Sequence, residues 1–261
     1  IPGETDKEVL LSTYICHPSM ANNELSGPVV TTALAQWLRG LEKRRYTYRI
    51  VFSPETIGSI VYLSRNVDQL KRQVIAGFNI TCIGDDRCYS YLPSRAGNSL
   101  SDQVAQHVLK YTDADFKRYS WLYRGSDERQ YCAAGVDLPI ATIMCSKYGE
   151  YPEYHTSLDN FKLVTIKGCT GGFNVARKSI EILLERIYPK CKIMCEPQMG
   201  KRGLYPTLST KNEKKLTRSY MDFLQYADGT NSLEKISSLI KLNLKSVKKT
   251  YSLLYKNNLF N

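Results

Sequence analysis

The chain has 261 residues, of which 43% are hydrophobic and 23% charged, proportions that exclude a disordered or fibrous protein and suit one large domain plus one small one. Its net charge of +11 is uneven: residues 201–261 hold 12 Lys and Arg against 4 Asp and Glu, or +8, leaving 24 against 21, or +3, for the first 200 residues. The longest apolar runs, such as Ile140 to Met144, are far short of the roughly 20 residues a membrane span needs, and nothing at the N-terminus reads as a signal peptide, so the expectation is a cytoplasmic protein with no membrane partner.

Residues 8–16 (EVLLSTYIC) already look like an interior strand, and the chain opens at Ile1 without a methionine, so a preceding portion is expected. Further strand-like runs fall at 48–52, 74–81 and 139–145, rich in β-branched or aromatic residues. Helical patterns separate them at 25–41, 58–72, 99–111 and 127–134, with a long one near 165–186. That alternation predicts an α/β domain over residues 1–190. The eight cysteines are scattered and read as buried free thiols. Residues 191–211, with prolines and glycines and no clean period, read as a linker. Three short helices at 214–226, 233–240 and 244–257, with an Asp228-Gly229-Thr230 turn, predict a small domain over 212–261.

In open α/β sheets ligands gather where loops leave the carboxyl ends of strands. Four polar clusters sit at such places: Cys16-His17-Pro18-Ser19 with Asn22-Asn23-Glu24-Leu25-Ser26-Gly27, then Glu55-Thr56-Ile57-Gly58, then Ser126-Asp127-Glu128-Arg129, and finally Tyr148 to Asp159. A lone histidine is more often a satisfied structural residue, but two of the three histidines, His17 and His155, fall in these loops. Glu55 suits a general base acting on a metal-bound water; as a helix N-terminal charge it would equally serve the macrodipole.

The order HPS, NNELSG, ETIG, NITCIG, SDE and HTSLD resembles the co-catalytic zinc exopeptidases of bacterial leucyl-aminopeptidase type over residues 9–187. The resemblance implies a three-layer α/β/α fold with a mixed sheet. The departures matter more for function. The position of that family's bridging aspartate falls at Asn23, its glutamate ligand at Thr56, its third acidic ligand at Thr81, and the aspartate orienting its first histidine at Ser19. Neutral side chains there argue against a pair of zinc ions. One zinc is expected instead, held by His17, His155 and a carboxylate from Glu24 or Asp127, with Glu55 as the catalytic base. Asn23, Glu128, Arg129, Tyr148, Tyr151 and Tyr154 are the candidate substrate-pocket residues.

The same segments closely resemble uncharacterised bacterial aminopeptidase-like proteins that carry a C-terminal winged helix, often encoded with surface-polysaccharide biosynthesis functions. The expected activity is zinc-dependent hydrolysis of a small amide or peptide, linked to polysaccharide metabolism. The alternatives are a catalytically silent ligand-binding protein and a regulator whose winged helix binds nucleic acid. Lys245, Lys248 and Lys249, with tyrosines interleaved, would be the nucleic-acid contacts. A protein-contact role is preferred, since the tail has only Arg202 and Arg218 and no row suited to base edges. The oligomeric state is left open.

Overall fold

Six short segments of the first unit pair into one sheet: β1 (Glu8–Tyr14), β2 (Thr47–Ser53), β3 (Val74–Ile80), β4 (Ser90–Leu92), β5 (Lys117–Arg118) and β6 (Ile140–Met144). The computed structural model describes residues 1–204 and 211–260 and divides into two units, Ile1–Leu184 and Glu185–Asn261. The sheet order is β2-β1-β3-β6-β4-β5. The first four run parallel, β4 lies antiparallel to β6, and β5 is parallel to β4. Five helices accompany them: α1 (Ser26–Gly40), α2 (Ile57–Gln73), α3 (Leu100–Thr112), α4 (Glu128–Tyr131) and α5 (Ile166–Glu185).

Every residue of β1 and β6 is buried, as parallel strands covered on both faces must be. Alternation sorts the side chains. Val9 and Leu11 join Val30 and Leu34 of α1, Val108 of α3 and Ile180 of α5, while Leu10 on the other face meets Leu63 and Leu70 of α2 and Tyr131 of α4. The unit is therefore a three-layer α/β/α sandwich with a mixed sheet. The α3 boundary follows from its capping box, in which Asp102 N donates to Ser99 Oγ and Ser99 N donates to Asp102 Oδ2. The four expected strands and five expected helices are present within a few residues, but α4 stops at Tyr131, short of the expected Ala134. β4 and β5, three and two residues long, are too short to leave a period in the sequence.

The second unit contains α6 (Lys211–Gln225), α7 (Leu233–Leu239) and α8 (Leu244–Lys256). Ser232 Oγ and Asn243 Oδ1 cap α7 and α8. Phe223, Leu233, Ile236, Val247 and Leu254 form its core, and Met199 and Leu204 are buried in it. Cys191 bridges to Phe260 and Lys190 to Asp228. The segment expected as a linker is thus part of this unit as far as Leu204; its apolar residues sit on irregular backbone, where neither helical nor strand period can report burial. Of its remainder, 205–210 lie outside the described residues, as does Asn261, and Lys211 opens α6. No helix among the described residues is long and apolar enough to cross a membrane.

Candidate functional site

The sheet order reverses direction between β1 and β3, so the crevice outside their carboxyl ends is where a ligand belongs. Cys16 and His17 leave β1, and a single π-helical turn, Ala21–Leu25, follows. Such turns are rare and concentrate at functional sites. This one carries Glu24 back beneath the strand end. Glu24 Oε2 accepts Cys16 N at 2.7 Å, and Oε1 accepts Asn23 Nδ2 at 2.6 Å and lies 2.9 Å from His17 Nδ1. A carboxylate on Nδ1 orients the imidazole and leaves Nε2 as a basic lone pair. Donor atoms of Cys16, His17 and Glu24 all lie within 4.8 Å of one another, the one such group among the described residues. The His155 ring has its centroid 4.5 Å from that of His17 and stacks on Tyr154 at 3.9 Å. His155 has φ +56°, and burial together with the neighbouring His17 holds its imidazole below the usual range.

Glu55 sits in the loop after β2. Ile57 N donates to Glu55 O at 2.6 Å, closing a γ-turn around Thr56, whose φ of 61° and ψ of −67° are the strained sense of that turn. A β-branched residue is a genuine outlier there. Asp127 pins it: Asp127 Oδ1 accepts Thr56 N at 2.7 Å and Ser59 Oγ at 2.9 Å. Arg129 donates to Thr56 Oγ1 from the other side. Burial pushes the Glu55 carboxyl up to about 7, a Ser126 hydrogen bond opposing and the Asp127 and Glu24 charges adding. Strain at Thr56 costs on the order of 1–3 kcal/mol and persists because Asp127 holds it.

Two expectations change here. Asp127, an expected third ligand, is outside the Cys16–His17–Glu24 group and anchors the Glu55 turn instead. Glu128 does not line a pocket: it is fully buried, accepting Gly125 N, Ser126 N, Tyr148 Oη, Asn79 Nδ2 and Thr142 Oγ1. Tyr148 is buried with it, and buried Tyr151 donates to Asp159 Oδ2. Of the three tyrosines only Tyr154 faces the histidines.

Sequence reasoning passed over Cys16 as a donor, and Asp85 and Asp159 as ties. Asp159 accepts Asn22 N and Asn23 N, while Asp85 accepts Asn22 Nδ2, Ser146 N and Ser146 Oγ. These bonds lock the loops after β1, β3 and β6 together. The Gly84-Asp85-Asp86 run directly after a strand was the available signal.

The Cys16–His17–Glu24 group, a thiol, an imidazole and a carboxylate, suits a borderline-soft divalent cation such as zinc, while His155, an expected ligand, lies outside that group with its ring beside His17. The neighbouring polar cluster offers no carboxylate of its own. Asn23 Oδ1 faces Tyr14 Oη at 3.5 Å and Cys82 Sγ at 3.8 Å, and Thr81 Oγ1 donates to Tyr14 Oη. All four residues are buried. Burial pushes the Tyr14 phenol well up and the Cys82 thiol to about 12, so this cluster is neutral.

In the second unit Lys245, Lys248, Lys249 and Lys256 share one face of α8, beside Leu244 and Leu253, along an open groove of about 700 Å³.

These features define an aminopeptidase-like α/β domain followed by a winged helix. The chain belongs to the family described as domain of unknown function DUF4910, matched over residues 1–186, and residues 186–261 match the winged helix-turn-helix family. A Clostridium acetobutylicum protein, provisionally named a polysaccharide biosynthesis protein with aminopeptidase-like domain, is 36% identical over 258 residues, covering 98% of this chain and 59% of its own length. The chain therefore spans well under two thirds of that curated relative. A crystal structure of a provisionally assigned peptidase from Clostridium acetobutylicum superposes with TM-score 0.73 at 35% identity, covering 100% of this chain and 58% of its own. BSAP, a zinc aminopeptidase from Bacillus subtilis, shares the fold at TM-score 0.58 and 15% identity, over 69% of this chain and 47% of its own.

Proposed function

We propose that this chain is a zinc-dependent hydrolase of small amides or peptides with a mononuclear site, acting in surface-polysaccharide metabolism. The observation that carries the reading is Glu55, held on a strained turn beside the Cys16–His17–Glu24 donors and His155. His17 and His155, with Glu24 or Cys16, would hold the ion, which when bound supplies Lewis acidity and a water of lowered pKa. Glu55, with its carboxyl near 7, is poised to take a proton at neutral pH and return it to a leaving amine. Asp127 keeps it in place through Thr56 N. The link to polysaccharides rests on the name of the Clostridium relative. Eight free thiols suit a reducing compartment such as the cytoplasm. The lysine face of α8 is assigned to contact with another protein, with nucleic acid as the rival ligand.

Elemental analysis of the purified protein, with His17→Ala and His155→Ala alongside, tests the reading. About one zinc per chain, lost in both variants, is expected, followed by amide turnover that Glu55→Gln abolishes. No zinc after loading would sink it. A silent ligand-binding scaffold would then take its place, a reading favoured by the neutral Tyr14–Asn23–Thr81–Cys82 cluster.

A further inference from the structure

We propose that Arg129 is an anion clamp and that the substrate carries a carboxylate or phosphate beside the scissile amide; this rests on the hydrolytic reading above and adds its substrate class. Arg129 lies in the first turn of α4 and donates to Thr56 Oγ1, next in sequence to Glu55. Its Nε is buried without a hydrogen-bond partner, and it takes part in none of the ion pairs found among the described residues. The contrast with Arg49 is direct. Arg49, also half-buried, is gripped by both oxygens of Glu8 at 2.5 and 2.7 Å, as a guanidinium with a purely structural duty should be.

Arg129 has carboxylates nearby but none closes on it. Asp127 is engaged through Oδ1 by Thr56 N and Ser59 Oγ, while its Oδ2 is buried without a partner and makes no ion pair with Arg129. The charge of Arg129 acts on Glu55, on Asp127 and on the Tyr154 phenol, which places it in the same crevice as the base and the His155–Tyr154 stack. A guanidinium has five donors in a planar fork, and with no carboxylate in ion-pair contact this partly buried one keeps donors free for an arriving anion. The fork matches carboxylate and phosphate oxygens bidentately. A neutral peptide segment offers it nothing comparable, so the clamp selects N-acyl amino acids, peptide acid ends or phosphate-bearing amides.

Isothermal titration calorimetry on the full chain tests this without requiring turnover. The probes are N-acetyl-L-alanine, N-acetyl-L-alaninamide and inorganic phosphate, against wild type, Arg129→Gln and Arg129→Lys. The acid should bind wild type at least about tenfold more tightly than the amide, Arg129→Gln should erase that difference, and Arg129→Lys should keep part of it. Phosphate binding that depends on Arg129, with no preference for the acid, would identify the anion as phosphate. Equal affinity for acid and amide in wild type with no phosphate binding, or a preference that survives Arg129→Gln, overturns the clamp. Should the variants fail to fold, the wild-type ratio of acid to amide and the phosphate titration decide alone. Arg129-dependent binding with no amide turned over would leave the clamp standing and the hydrolase reading fallen; turnover indifferent to an acidic group would do the reverse.

Discussion

Glu128→Ala and Glu128→Gln should differ by several kcal/mol, because the two changes treat the same five donors differently. Gly125 N, Ser126 N and Tyr148 Oη, at 2.8, 2.9 and 2.7 Å, converge on Oε1, and Asn79 Nδ2 and Thr142 Oγ1, at 3.0 and 3.3 Å, on Oε2. In Glu128→Gln the amide oxygen can take the Oε1 place and keep three donors. The new amide nitrogen then faces Asn79, whose Oδ1 is buried without a partner, so a flip of the Asn79 amide restores a donor–acceptor pair and the Thr142 hydroxyl can rotate. What is lost is charge assistance, partly offset by the removed desolvation cost, for a net loss of about 1–2 kcal/mol. Glu128→Ala takes the acceptor from Ser126 N, Tyr148 Oη and Thr142 Oγ1, leaves Gly125 N and Asn79 Nδ2 only their second acceptors, Tyr148 Oη and Ser126 Oγ, and opens a cavity, a loss of about 3–5 kcal/mol. For a unit of 184 residues, each 1 kcal/mol lowers Tm by about 2–4 °C. Both tryptophans, Trp37 and Trp121, lie in the first unit, so tryptophan fluorescence during urea or thermal unfolding reads this unit alone. If Glu128→Ala falls within about 1 kcal/mol of Glu128→Gln, the donors find other partners and the carboxylate is not the hub of these loops.

Because the folded Glu55 keeps its proton up to about 7 against an ordinary 4.5, the folded state binds more protons in that window, and its contribution is lost as pH rises through it. His155, held low, has the opposite sign, so the comparison is wild type against Glu55→Gln in chelator. Wild type should gain roughly 1–3 kcal/mol more than the variant between pH 7.5 and 5; parallel pH profiles would remove Glu55 from the buried site. Asp127→Ala frees the Thr56 turn and should cost about 2 kcal/mol by the same fluorescence assay, with any amide turnover falling at least as far as in Glu55→Gln; unchanged turnover would show that the turn holds itself. Gly27→Ala would put a Cβ 2.5 Å from Thr13 Oγ1 and 2.6 Å from Ile80 O, so a loss of about 2–3 kcal/mol is expected, and a loss below about 0.5 kcal/mol would mean α1 does not rest against the end of β3.

The fold was legible where the sequence carried a period: β1, β2, β3 and β6 as β-branched runs, and α1, α2, α3 and α5 as amphipathic ones. In the candidate site, His17 and Glu55 were picked out because each falls within three residues of a strand end, and Glu24 and His155 because they lie in the loops that follow β1 and β6. What stayed hidden was orientation. Asp127 and Glu128 are neighbours in one polar loop, and no pattern distinguishes a carboxylate aimed at the crevice from one turned into Thr56 N or into a nest of five donors. Tyr148, Tyr151 and Tyr154 share spacing and chemistry, yet two are buried struts and one stacks on His155. Cys16 was masked by its strand-like surroundings, and only the π-helical turn that returns Glu24 brings it into the donor group.

The neutral side chains at Asn23 and Thr81 depend on one another. A carboxylate at Asn23 would have to displace the 2.6 Å hydrogen bond that its Nδ2 gives Glu24 Oε1, setting two acids against each other in a buried place. An acid at Thr81 would face the Tyr14 oxygen that Thr81 now satisfies. With both positions neutral, Tyr14, Asn23, Thr81 and Cys82 satisfy one another, and the carboxylates that reach this cluster are Glu24, on Asn23 Nδ2, and Asp159, on Asn23 N. None of these four side chains is among the buried unpartnered ones. Two of the buried unpartnered atoms, Asp127 Oδ2 and Arg129 Nε, lie instead around the Glu55 turn, the part of the crevice to which the proposed chemistry and the proposed anion are both assigned.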